Sequence, residues 1–236
     1  IMYRNLGLIE LSIKTHIEIL LDDQFNSNSF YELSTMYDFS SHDQLLKILL
    51  NIEIGNLSPK EKIYFGYSKA NIYHQNKDYK KSSYFLKIAN EEKLKIQPSD
   101  IKKKLNTGEY FRNLRIGKNL NIDNKTDSSR YLFIVGMPRC GSTLLESILS
   151  LNPEVKDLGE VDFLEESLQK TNDFLEVKNL YKEKVMLINS KQKIFTDKNL
   201  FNFLYCPIIY KLFPNARIIH CTRNPLDNIL SIYRTN

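Results

Sequence analysis

The segment Gly136-Met137-Pro138-Arg139-Cys140-Gly141-Ser142-Thr143 carries the strongest chemical signal in the sequence. Gly136 and Gly141 permit tight turns and close backbone approach. Ser142 and Thr143 supply hydroxyl donors, and Arg139 supplies a fixed charge with a forked donor set. The apolar run Tyr131–Val135 precedes the segment and Leu144-Leu145-Glu146-Ser147-Ile148-Leu149 follows it. The pattern predicts a buried strand, a turn and a helix. The first amides of such a helix have no internal partners, so they and the helix dipole attract an anion. The triphosphate-binding loop G-x-x-x-x-G-K-[ST] has a lysine where this chain has Ser142. Without that lysine, and with Arg139 earlier in the loop, the segment favours a short 5′-linked anion over a nucleoside triphosphate. A kinase-like or NTPase loop is the competing reading.

A second anion site follows about eighty residues later. Asn215–Cys221 reads as a strand ending in Thr222-Arg223-Asn224-Pro225. Asn224 suits a helix N-cap and Pro225 the first helical position. The helix Pro225–Arg234 carries Ser231 on its second turn, close enough to share a ligand with Arg223. An NTPase uses an acidic residue at a strand end to hold magnesium. Arg223 instead can hold an anion directly, so no metal is expected. His220, inside the predicted strand, reads as a core residue. Cys140 reads as a small loop residue, not a nucleophile.

These sites need a frame. From Tyr131 the sequence alternates strands and helices, which predicts a parallel α/β sheet over 131–236. Residues 1–96 show helical periodicity and almost no strand signal. The stripe Ile63, Tyr64, Tyr67, Ala70, Asn71 and His74 predicts a helix over Lys60–Gln75, with Ser58 as N-cap, Pro59 at the first position and Glu61 completing a capping box. A second helix is expected from Tyr79 to Glu92, with Ser82, Ser83, Phe85, Leu86 and Ala89 along one side. A weaker unit spans Leu6 to Tyr37. Residues 97–130 read as a connecting helix, near Ile101–Gly117, followed by a polar linker.

The chain has 236 residues, 42% hydrophobic and 26% charged, with a formal net charge of +5. This suits a globular protein with an anionic ligand; the excess is too small and dispersed to indicate nucleic acid. Cys140, Cys206 and Cys221 are odd in number and lack metal-like spacing, so a reducing, cytoplasmic setting is expected. No apolar run approaches the roughly 20 residues of a membrane span. The chain opens on Ile1 and stops at Asn236 within a predicted helix, so both ends read as cut.

The helix pair resembles a tetratricopeptide repeat through Gly66, Ala70, Tyr73, Tyr79, Ser83, Phe85 and Ala89. It departs at Ser83, where alanine is usual, and at Lys77, where glycine is usual. A single repeat leaves its apolar face open, so further repeats are expected before Ile1, with a peptide or protein partner on the concave face.

Strand, then G-x-P-[RK]-[SC]-G-[ST]-T-L-L, resembles the 5′-phosphosulfate loop of sulfotransferases that use 3′-phosphoadenosine-5′-phosphosulfate (PAPS). Cys140 and Ser142 stand where the family usually has Ser and Thr. The stretch Phe213 to Pro225 also resembles the family's second motif. There an Arg and a Ser eight residues later hold the 3′-phosphate, and Arg223 and Ser231 keep that spacing. The resemblance implies a P-loop-like sulfotransferase fold, incomplete at its C-terminus, that moves a sulfuryl group from PAPS to an acceptor hydroxyl. The acceptor could be a carbohydrate, a peptide tyrosine or a small molecule. Pro138, Arg139, Cys140, Gly141, Ser142, Thr143, Arg223 and Ser231 would bind PAPS. Arg139 and Lys198, in the D-K context of Ile194–Lys198, would neutralise the leaving phosphate. The Gly159-Glu160 region resembles the tyrosylprotein-type and repeat-bearing enzymes, which implies Glu160 as general base with Asp162 in reserve. A repeat scaffold with a degenerate transferase domain is a further reading.

Overall fold

The computed structural model describes residues 2–39, 43–114, 130–188 and 191–235. Most of the expected linker, 115–129, and the final Asn236 lie outside the described residues. The chain divides into two compact units, Ile1–Ser99 with Tyr233–Asn236, and Asp100–Ile232.

The first unit contains α1 (Met2–Asn5), α2 (Ile9–Asp22), α3 (Ser27–Met36), α4 (Gln44–Asn51), α5 (Pro59–Gln75) and α6 (Tyr79–Ile96). The capping box forms as the sequence indicates. The Glu61 amide donates to Ser58 Oγ at 3.4 Å, and the Ser58 amide to Glu61 Oε2 at 2.9 Å. Leu20, Phe30, Leu33, Leu49, Phe65 and Ile72 lie in one apolar cluster, and Ile63, Tyr67, Ala70, Leu86 and Ala89 form a second between α5 and α6. Lys69 is buried, and its Nζ donates to the carbonyls of Leu50 (3.0 Å) and Ile52 (2.6 Å), satisfying the C-terminal end of α4.

Two details differ from the sequence reading. The helix α6 runs on to Ile96 instead of stopping at Glu92. Ser83 is exposed; the buried stripe is Ser82, Leu86 and Ala89, and Ser82 Oγ donates to the Ala70 carbonyl at 2.8 Å. The 3.6-residue period puts Ser82, not Ser83, in line with Leu86 and Ala89. Lys77 adopts φ 60°, the left-handed turn conformation that glycine accepts at less cost.

The second unit contains α7 (Ile101–Asn113), β1 (Arg130–Gly136), α8 (Ser142–Leu149), β2 (Val155–Asp157), α9 (Phe163–Lys170), α10 (Phe174–Ile188), β3 (Ile194–Asp197), α11 (Cys206–Leu212), β4 (Arg217–Cys221) and α12 (Pro225–Tyr233), with a 3₁₀ turn at Leu200–Tyr205 before α11. All three strand pairings are parallel, in the order β2-β3-β1-β4. The sheet is therefore the expected parallel α/β type. Its core joins Tyr131 and Phe133 of β1 and Phe195 of β3 to Val177, Tyr181 and Val185 of α10 and Ile208, Ile209 and Leu212 of α11. Tyr131, Tyr181 and Phe213 meet with ring centroids 5.0 to 5.4 Å apart.

One substitution tests the helix-pair packing. A Cβ on Gly66 would lie 2.9 Å from Ala89 Cβ. Gly66→Val gains a little helix propensity but forces α5 and α6 apart, and overpacking of this kind costs about 1–3 kcal/mol. The urea midpoint should fall, with unchanged m-value.

Candidate functional site

In a parallel sheet every strand ends at the same edge. Here Gly136, Asp157, Asp197 and Cys221 end their strands together. From β1 the chain crosses to the far edge at β2, returns through β3 beside β1, then crosses β1 to β4. The crossover from β1 runs one way, to β2, and the crossover from the neighbouring β3 runs the other way, to β4; the crevice at such a switch point is where α/β sheets bind ligands. A cleft of about 820 Å³ opens at this edge. Residues 138–143 line it, with Glu160, Asp162, Asn199, Leu200, Phe201, Arg223 and Ser231.

The loop leaves β1 under tight constraint. A Cβ on Gly136 would sit 2.5 Å from the Cys221 carbonyl oxygen and 3.2 Å from Cys140 Sγ, so only glycine fits. Arg139 holds φ 69° and Gly141 φ 97°. A left-handed non-glycine residue costs roughly 1–2 kcal/mol, so surrounding contacts must hold Arg139. Three do. Asn228 Nδ2 donates to the Pro138 carbonyl at 2.7 Å, Arg223 Nη1 donates to the Arg139 carbonyl at 3.3 Å, and Arg139 Nε donates to Ser231 Oγ at 3.3 Å. Both motifs therefore face one cleft.

Helix α8 starts at Ser142 with Gly141 as its N-cap and no side chain capping it. By contrast α3, α4, α5 and α6 are capped by Asn26, Asp43, Ser58 and Asp78. The opening amides of α8 therefore have no side-chain cap, and uncapped amides at a helix start favour an anion.

Behind the loop lies a buried polar network. Lys198 is 4% exposed; its Nζ donates to Glu160 Oε1 at 2.7 Å and lies 3.9 Å from Glu146 Oε2. Glu146 also accepts from Thr196 Oγ1 at 2.7 Å and from the Gly159 amide at 3.3 Å. The Lys198 amide donates to the Gly159 carbonyl at 2.9 Å. These bonds tie α8, the Gly159 turn and the end of β3 together. Asp197 is fully buried and accepts from Tyr181 Oη (3.0 Å), the Asn199 amide (3.1 Å) and Asn202 Nδ2 (2.9 Å). Burial pushes its carboxyl up to about 7, against the pull of these donors, with the Glu146 charge adding to the rise.

Of the residues singled out from the sequence, Pro138, Arg139, Cys140, Gly141, Ser142, Thr143, Glu160, Asp162, Arg223 and Ser231 line the cleft. Lys198 lies behind the wall and touches it through Glu160. Asp162 is held by Asn199 Nδ2 at 2.7 Å. His220 is exposed, not a core residue: among the described residues β4 pairs only with β1, and this edge strand leaves Arg217, Ile218 and His220 open. Sequence reasoning missed Glu146 and Asn228. Glu146 left a trace, a carboxylate one helical turn from Ser142, and both are buried; Asn228 left none. Among the described residues no cluster of His, Cys, Asp or Glu could hold a metal. No described helix is long and apolar enough to cross a membrane.

Residues 132–181 and 165–236 match the model of the "Sulfotransferase family". The match covers most of the α/β unit and supports a sulfotransferase-like function there. A protein of Aquifex aeolicus (strain VF5), named only "Uncharacterized protein", is 32% identical over 132 residues. That match takes in 46% of this chain and 17% of the relative, so the chain spans a small part of the relative's length. No solved structure matches the chain.

The raised Asp197 carboxyl fixes a pH dependence. The native state holds this proton more tightly than the unfolded chain, where a carboxyl titrates near 3.9. Stability is therefore lost as pH rises from about 4 to about 7 and is level above, with Asp197 contributing up to about 4 kcal/mol of the fall. Asn at this position keeps one oxygen to accept from the Asn199 amide and Asn202 Nδ2 without the buried charge. The stability difference between Asp197→Asn and the parent, read from urea midpoints at pH 5 and pH 8, should move in the variant's favour at the higher pH.

Proposed function

We propose that this protein transfers a sulfuryl group from PAPS to an acceptor, binding the donor at both its phosphate ends. One observation carries the reading: Arg139 of the glycine-flanked loop and Arg223 with Ser231 of the second motif stand on one cleft, joined by hydrogen bonds.

The residues fit such a donor. The loop amides at the start of α8, with Ser142 and Thr143, would hold the 5′-phosphosulfate. Arg223 and Ser231 would hold the 3′-phosphate. Arg139 and Arg223 reach a hydroxyl and a carbonyl oxygen. PAPS supplies an activated sulfuryl group whose bond to the 5′-phosphate breaks as a bond to the acceptor oxygen forms.

The protein's part is positioning and charge. Arg139 neutralises the negative charge growing on the departing phosphate, with the α8 amides beside it. Lys198 adds a second cation. Its approach is set by Glu160, 2.7 Å away, and by Glu146, 3.9 Å away. Glu160 receives the acceptor proton. Its side chain is 69% exposed, so the carboxylate is open to an acceptor while one oxygen holds Lys198. The helical first unit is read as tetratricopeptide-like repeats that recruit a peptide or protein partner.

Calorimetric titration with adenosine 3′,5′-bisphosphate tests this. Binding should need no magnesium. Arg223→Ala should weaken it by about 10- to 100-fold, the loss of a charged hydrogen bond. Lys198→Ala should leave that affinity near the parent value and slow turnover of labelled PAPS. Tighter binding of ATP–magnesium than of the bisphosphate overturns the reading in favour of a kinase-like loop.

A further inference from the structure

Helix α12 is built inside out. Leu226, Ile229 and Leu230 are 78%, 55% and 53% exposed, and the one described residue it buries is Asn228, at 2% exposure. The side chain of Asn228 reaches the Pro138 carbonyl at 2.7 Å, while its Oδ1 is buried without a hydrogen-bond partner. A buried orphan acceptor is unfavourable, so what retains this asparagine is the donor on its other side. The amide orientation is fixed as well, because the flipped form would set two oxygens against each other.

The tether acts at a sensitive point. The peptide joining Pro138 to Arg139 is planar and trans, so fixing the Pro138 carbonyl also fixes the opposed direction of the Arg139 N–H. Arg139 is the residue strained at φ 69°. Asn228 sits between Arg223 and Ser231 in sequence. It is bonded to the loop on the same short stretch, 138–139, whose Arg139 carbonyl accepts from Arg223 and whose Arg139 side chain donates to Ser231.

We propose that Asn228 is a positioning residue that sets the distance between the 5′-anion loop and the 3′-anion helix, and so selects ligands whose two phosphates match that distance. The inference rests on the two-ended donor site proposed above. Asn228 does not touch the ligand; it acts through Pro138 and Arg139.

Two measurements on Asn228→Leu, which removes the donor at similar bulk, decide it. In the ligand-free protein, backbone amides of the loop should exchange with solvent at least about fivefold faster than in the parent, while β1 amides stay unchanged. In titrations, the parent's preference for adenosine 3′,5′-bisphosphate over the 2′,5′-isomer should shrink at least about fivefold. Unchanged loop exchange overturns the tether, and faster exchange with the isomer preference intact overturns the spacing role. A parent that binds neither isomer defeats the two-ended site and the selection that rests on it, and the exchange result still tells whether the tether exists. Should Asn228→Leu fail to fold, Asn228→Asp, isosteric and without the donor, gives the same readouts.

Discussion

The close approach of β1 to β4 is the constraint on which the site depends. Gly136 pairs with Cys221 in the last register position of the two strands, and a methyl group there would fall 2.5 Å from the Cys221 carbonyl oxygen. No relaxation of a side chain relieves such a clash, because the obstacle is backbone. With glycine in place, the ladder runs to its last residue, and the chain two residues beyond Cys221 passes over the loop. That is how Arg223 comes to donate to the carbonyl of Arg139. The loop's strain at Arg139 is then held by bonds that the adjacency of the strands makes available.

Charge is distributed unevenly across this edge. Arg139 and Arg223 are exposed and reach neutral oxygens. Lys198 is buried and shares its charge with Glu160 and Glu146. An anion entering the cleft therefore meets two arginines whose field is little offset by their own partners, at a helix start that adds the same sign. Burial raises the Asp197 carboxyl to about 7, so near neutrality it carries only part of its charge.

What the sequence disclosed was local. The strand–loop–helix at Tyr131–Leu149, the capping box at Ser58 and Glu61, and the proline-led start of α12 each depend on residues a few positions apart, so spacing alone exposes them. What it concealed was non-local. Glu146 acts through Thr196, fifty residues away, and Asn228 through Pro138, ninety away. Neither pairing has a periodic signature. His220 looked internal because its strand is apolar on average; whether a strand is central or edge is decided by what pairs beside it, which periodicity does not encode. Ser83 and Ser82 differ by one position, and only the helix contact distinguishes them.

The second motif also shows why polar tethers suit this place better than apolar packing. Apolar contact is non-directional and scales with area, so it fixes that two elements touch but only loosely at what angle. A hydrogen bond weakens steeply when bent, so it fixes direction as well as distance. A helix that must present Ser231 beside Arg139, while the strand end presents Arg223, needs direction. The exposed leucines of α12 could not supply it toward the loop. Asn228, Arg139 and Arg223, each spending a donor on an oxygen of the opposite motif, can. The two motifs, separate in sequence, are thereby held as one surface.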